Sequence, residues 1–123
     1  MTEDDVRSMA LALPGTTEGP HHDRTSFRVA GKIFVTLPPD GATLNVLLDE
    51  EEARASAEEP PGVVELLWWG KRLSGVQVTL ERADERLVGG LLEDAWRRRA
   101  PRTLLARYDT GHPGADGVPE GRA

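Results

Sequence analysis

Three groups of side chains in this sequence have the types and spacing to do chemistry. Trp68 and Trp69 precede Gly70, Lys71 and Arg72, so two indoles stand beside two cations at a turn. Rings of that kind stack on bases while the cations meet phosphates. In a regular strand neighbouring side chains alternate, so Trp69 shares the solvent side with Glu65 and Trp68 turns inward. The competing reading packs Trp69 under a helix or loop, because tryptophan is highly buried on average. Further on, Arg97, Arg98, Arg99, Arg102 and Arg107 fall in one stretch with no acid between them. Such a stretch makes an anion-binding corner, or simply compensates a helix C-terminus, where each cation contributes roughly 0.3–1 kcal/mol at low salt. Lys32, after Gly31 on a hairpin, either meets a phosphate or guards a sheet edge against aggregation, and the second role is the ordinary one.

His21-His22-Asp23 carries ligands that suit zinc or nickel. Adjacent histidines rarely ligate one ion, and no second His-rich segment lies nearby apart from His112, so the sequence predicts a solvated loop and no metal site. The acidic pairs Asp4-Asp5, Asp49 to Glu52 and Glu58-Glu59 sit where helices begin or on a solvated helix, where nothing raises a carboxyl pKa enough for acid/base work. No Gly-x-Ser-x-Gly elbow, phosphate-binding glycine loop or His-Glu-x-x-His is present, so no catalytic residue and no cofactor are expected.

Composition narrows the classes further. A chain of 123 residues, 38% hydrophobic and 29% charged, suits one globular domain that folds on its own core. There is no cysteine, hence no disulfide and no thiolate chemistry, and the cytoplasm is the expected location. Neither a long apolar span nor a basic-then-apolar leader is visible, so no membrane partner is expected. The net charge is −6, and it is uneven: residues 1–60 hold 5 basic and 12 acidic groups, residues 61–123 hold 10 and 9. A body of that sign opposes DNA at long range, while a local basic patch survives behind a Debye length of about 8 Å. Any DNA binding should therefore be weak and salt-sensitive. Thirteen of the fifteen basic residues are arginine, a bias that genome composition can produce without any ligand.

The elements that position these residues follow from periodicity. Thr2 with Asp5 forms a capping box ahead of the Val6, Met9, Ala10, Leu13 stripe of an amphipathic helix, which Pro14-Gly15 ends. Residues 14–24 read as loop. Thr25–Val29 and Lys32–Leu37 form a hairpin, Pro39-Asp40-Gly41 a turn, and Ala42–Leu48 a third strand. Asp49 caps a short acidic helix to about Glu58, stopped by Pro60-Pro61-Gly62. Val63–Trp69 and Leu73–Glu81 read as two strands, although a helical alternative stays open for the first, whose apolar run periodicity alone does not settle. Asp84 opens a helix with the stripe Leu87, Val88, Leu91, Leu92, Ala95, Trp96, ending at Pro101, and Arg102–Tyr108 suits a further short helical piece. Gly89-Gly90 inside it points to close packing of the helix backbone. The sum is an α+β two-layer sandwich, α-β(3)-α-β(2)-α, with five mainly antiparallel strands in residues 1–109 and a disordered tail over 110–123. The first and last helices should cover one sheet face. The other face, with some of Ser26, Arg28, Thr36, Asn45, Gln77 and Thr79, is then free for a protein partner or a second copy.

Several of these residues together resemble the MmcQ/YjbR-like family of small bacterial proteins. The resemblance runs through Leu13-Pro14-Gly15 with Glu18, Phe27 and Val29 leading to Gly31-Lys32-Ile33-Phe34, Trp69-Gly70-Lys71 with Val76, Val78 and Leu80, then Ala95-Trp96-Arg97, Ala100-Pro101 and Leu104-Leu105, covering about residues 2–108. It implies a fold like that of secretion chaperones and a DNA-binding role through a pair of wing-like hairpins. No general catalytic activity comes with it. The acidic charge of this chain departs from that role. The expectation is thus a non-enzymatic binding protein that contacts DNA through Lys32, Trp69, Lys71, Arg72 and the Arg97, Arg98, Arg99, Arg102, Arg107 stretch, the alternative being a protein-interaction adaptor that uses the open sheet face.

Overall fold

A computed structural model describes residues 1–58 and 62–111. The order is α1 (Glu3–Leu11), β1 (Thr16–His21), β2 (Arg24–Val29), β3 (Lys32–Leu37), β4 (Thr43–Leu47), α2 (Glu50–Ser56), β5 (Val64–Trp69), β6 (Arg72–Thr79), a single 3-10 turn, α3 (Glu85–Arg99) and α4 (Arg102–Gly111). The helices begin where their caps demand. Thr2 Oγ1 accepts from the Asp5 amide at 3.1 Å while the Thr2 amide donates to Asp5 Oδ2 at 2.9 Å. Asp49 and Asp84 accept from the amides three residues on, each at 2.8 Å. These bonds satisfy amides that no helical carbonyl reaches.

The sheet has six strands, not five, in the order β1-β2-β3-β4-β6-β5, all antiparallel. The extra strand is β1, from a segment expected to be loop. It is an edge strand, where Gly19 and Pro20 are tolerated because one side of the backbone needs no partner. The second correction concerns His22 and Asp23, which form the two-residue turn between His21 and Arg24, with His22 left-handed at φ 59°. Arg102–Gly111 is a full fourth helix. It takes in Thr110 and Gly111, where the tail is expected to begin, and the rest of that tail, from 112 onward, lies outside the described residues.

Register separates the two faces. One cross-strand row reads Glu18, Phe27, Val35, Val46, Val76, Leu66, and its neighbour reads Gly19, Ser26, Thr36, Asn45, Gln77, Glu65. The first row meets the helices: Phe27, Val35, Val46 and Val76 are fully buried with Val6 and Ala10 of α1 and Val88, Leu92, Ala95 and Trp96 of α3. Helix α3 lies on β3 and β4, and α2 on β6 and β5. Trp96 is sealed inside and its Nε1 donates to the Pro14 carbonyl at 2.9 Å, tying α3 to the end of α1. Tyr108 of α4 closes over it with ring centroids 5.0 Å apart.

The polar row is less open than its composition implies. Ser26, Thr36 and Asn45 are buried, because longer neighbours lie flat across short ones. Arg28 Nε donates to Ser26 Oγ at 3.2 Å and its Nη2 to the Pro20 carbonyl, and Gln77 Nε2 donates to Asn45 Oδ1 at 2.9 Å. Within α3 the two glycines divide. A Cβ on Gly89 would sit 3.0 Å from Met9 Cε of α1, the expected close approach, whereas one on Gly90 would meet open space.

Candidate functional site

The register places both lysine-bearing hairpin tips at one end of the sheet. Val29 pairs with Lys32 across the turn Ala30-Gly31, and Trp69 pairs with Arg72 across the turn Gly70-Lys71. Following the antiparallel ladder from the Thr36, Asn45, Gln77 row toward those turns moves in the same direction in both hairpins. Only β4 separates β3 from β6, so the tips project side by side, about 10 Å apart at the level of the strands. Ala30, Gly31 and Gly70 have φ of 53°, 78° and 64°, the left-handed backbone that reverses a chain this sharply. Lys32, Lys71 and Arg72 are exposed.

Trp68 and Trp69 are 47% and 55% exposed, the largest apolar surfaces left open. Alternation predicts an inward Trp68. The ladder shifts register between Leu67 and Trp68, leaving Ser74 of β6 as the extra residue, and at this end of edge strand β5 both indoles reach solvent beside the second tip. Nothing in the residue order announces that bulge.

The C-terminal end of α3 joins the same corner. Arg99 is half-buried, its Nε has no hydrogen-bond acceptor among the described residues, and its pKa is pushed down by burial and then by the charges of Arg98 and Arg72. Three guanidinium groups from two separate elements therefore share one field. Arg97 does not belong to it. Its Nη2 donates to Asp109 at 2.7 Å and its Nε to Glu93 at 3.0 Å, and its guanidinium lies 5.3 Å from the Tyr108 ring centre, so it clamps α4 to α3 and its pKa is raised, chiefly by Asp109. Arg102 and Arg107 are exposed on α4 and are not among the charges that act on Arg99. Of nine expected contact residues, the structure gathers Trp69, Lys71, Arg72, Arg98 and Arg99, sets Lys32 on the neighbouring tip, and leaves Arg97, Arg102 and Arg107 apart.

The His21 and His22 rings lie 4.5 Å apart between centres at a tilt of 58°, and among the described residues no three His, Asp or Glu side chains gather as a metal would require. No helix among them is long and apolar enough to cross a membrane.

A model of the YjbR family matches residues 11–98, most of the chain and all six strands. The chain belongs to the YjbR family. Among solved structures it resembles the Deinococcus radiodurans protein DR2400, with a DUF419 domain, at 23% identity and a TM-score of 0.65 over 77% of this chain and 75% of that one, a likeness of fold. No curated protein matches it. Within the YjbR chain the matched segment contains both hairpin tips and Arg98, and stops just before Arg99.

Proposed function

We propose that this YjbR-family chain is a non-enzymatic binding protein that holds single-stranded nucleic acid at the corner formed by the β5–β6 tip and the end of α3. The observation that carries the reading is the exposed Trp68-Trp69 pair beside Arg72, Arg98 and Arg99, whose Arg99 Nε lacks an acceptor. A buried N–H without a partner costs roughly 1–3 kcal/mol, and packing like charges adds to that cost. A phosphate oxygen in the corner removes both penalties. Each exposed indole offers a base a stacking partner for about 1–3 kcal/mol, a contact open to unstacked single strands and closed to bases inside a duplex. Lys32 on the adjacent tip extends the positive surface in the direction a strand would run. The buried centre of the polar sheet row gives the adaptor reading less support.

The test is fluorescence anisotropy with labelled oligo-dT and with a duplex of equal length, at about 50 mM and about 150 mM salt. The single strand should bind more tightly, lose affinity steeply with salt, and fail to bind the Arg72→Ala, Arg98→Ala, Arg99→Ala triple variant. Absence of low-salt binding to either probe, or equal binding by the triple variant, removes the reading.

A further inference from the structure

Away from the tips, α2 and α3 part to leave a cleft of about 670 Å³, and its walls hold two kinds of chemistry. Val63, Leu87 and Leu91 form an apolar side, while Arg82 and Arg86 stand at the end where α3 begins. Both arginines are exposed, and neither is in an ion pair among the described residues. Arg82 lies close to the backbone of Gly62, where a Cβ would come 2.6 Å from its Nη1, which sets its guanidinium beside the rim. The nearest carboxylate on the wall, Asp84, is turned to its own helix and accepts from the Leu87 amide at 2.8 Å. The cleft exists partly because of Gly90, a costly residue inside a helix, whose missing side chain would project into open space.

The opposite end has the opposite character. Asp94 lies eight residues beyond Arg86, about 12 Å along the helix axis. Burial and Glu93 push its carboxyl pKa up, and Glu52 of α2 is raised by burial, by Asp49 and by Asp94 itself. Arg97 and Arg98 act there in the opposite direction without cancelling the rise, so both carboxylates still sit where ionisation is disfavoured. A second anionic group would be unwelcome there.

We infer that the cleft between α2 and α3 binds a small amphipathic anion with one charged head, such as a medium-chain carboxylate, its head on Arg82 and Arg86 and its apolar body along Val63, Leu87 and Leu91. This inference does not rest on nucleic-acid binding. It concerns other residues, at the start of α3 and on the 3-10 turn before it, and would survive the loss of that activity.

Decanoate is the probe, with 1-decanol and the dicarboxylate sebacate as controls, followed by amide chemical shifts on the intact chain. Decanoate should move the signals of Ser56, Gly90 and Leu91 with saturation, while decanol and sebacate bind at least about tenfold more weakly, the first lacking the head and the second carrying its extra charge to Asp94. Arg86→Gln, a change at an exposed side chain, should weaken decanoate about tenfold, and Gly90→Leu should abolish binding by filling the cleft. Gly90→Ala, which favours the helix, reports whether substitution there is compatible with folding. Equal affinity for decanol and decanoate, unchanged decanoate binding by Arg86→Gln or by folded Gly90→Leu, or shifts confined to Trp68 and Trp69 would overturn the inference.

Discussion

Arg99 carries a buried Nε without an acceptor among the described residues, and one of the two charges that depress its pKa is Arg72, a residue at the tip of a hairpin formed by other elements. The fold brings these two guanidinium groups together although hydrophobic burial does not require it. Electrostatic crowding of this kind is relieved by an anion, and among the described residues no carboxylate is one of the charges that act on Arg99. Single alanine changes at Arg72, Arg98 and Arg99 should therefore each reduce the slope of log affinity against log salt by about 1, measured with oligo-dT. They should change stability by less than about 1 kcal/mol, because the repulsion removed is offset, at Arg98 and Arg99, by the loss of a favourable charge at the C-terminus of α3. A fall in stability with unchanged affinity would mark the three as structural.

Arg97 makes the opposite prediction from the same stretch of sequence. Its bonds to Asp109 and Glu93 and its position over Tyr108 dedicate it to holding α4. Arg97→Ala should keep oligonucleotide affinity within about twofold and cost about 1–2 kcal/mol of stability, the sum of two partly exposed ion pairs and a cation–π contact. Denaturant titration beside a binding curve reads both quantities.

Gly75 sets a limit on the sheet. It pairs with Leu47, and a Cβ there would fall onto the Val46 carbonyl, far inside van der Waals contact with backbone that has no room to move. Gly75→Ala should cost about 3 kcal/mol or more, as overpacking against rigid neighbours does, and should lower the midpoint of urea unfolding. Gly31→Ala at an open turn, where nothing lies within 4 Å, should cost less.

Glu52 gives a pH dependence with a definite sign. Its pKa is raised by burial first, then by Asp49 and Asp94. The folded state thus holds the Glu52 proton more tightly than the unfolded chain. Ionisation costs stability: the cost is absent below the ordinary glutamate range of about 4.3 and complete once the pH passes the raised folded value. Glu52→Gln should raise the melting temperature at neutral pH, and the gain should vanish near pH 3. Because Arg98 is a charge that acts on Glu52, the same variant should bind oligo-dT slightly more tightly.

Much of this architecture is legible in the residue order because local chemistry and packing agree. Thr2, Asp49 and Asp84 mark three helix starts, and alternation marks β2, β3, β4 and β6. Two features escape for physical reasons. β1 holds Thr16 to His21, with Gly19, Pro20 and few apolar groups, and its pairing comes from β2 and not from its own propensity. The exposure of Trp68 belongs to the end of an edge strand, and which part of β5 the helices leave uncovered is not written in its apolar run. The candidate site divides along similar lines. Charge and ring content single out Trp69, Lys71, Arg72, Arg98 and Arg99, whereas the diversion of Arg97 depends on Asp109, an acid just beyond the arginine stretch that only the α3–α4 packing brings to it. The Arg82 and Arg86 cleft depends on how far apart α2 and α3 stand, which no spacing encodes.

The chain has three tryptophans, and they form their own control. In an amide and indole NMR spectrum recorded during titration with oligo-dT, the indole N–H signals of Trp68 and Trp69 should shift and saturate together. Trp96, buried and bonded to the Pro14 carbonyl, should stay in place. Stationary Trp68 and Trp69 signals at saturating oligonucleotide, or a shift of all three alike, would contradict the account.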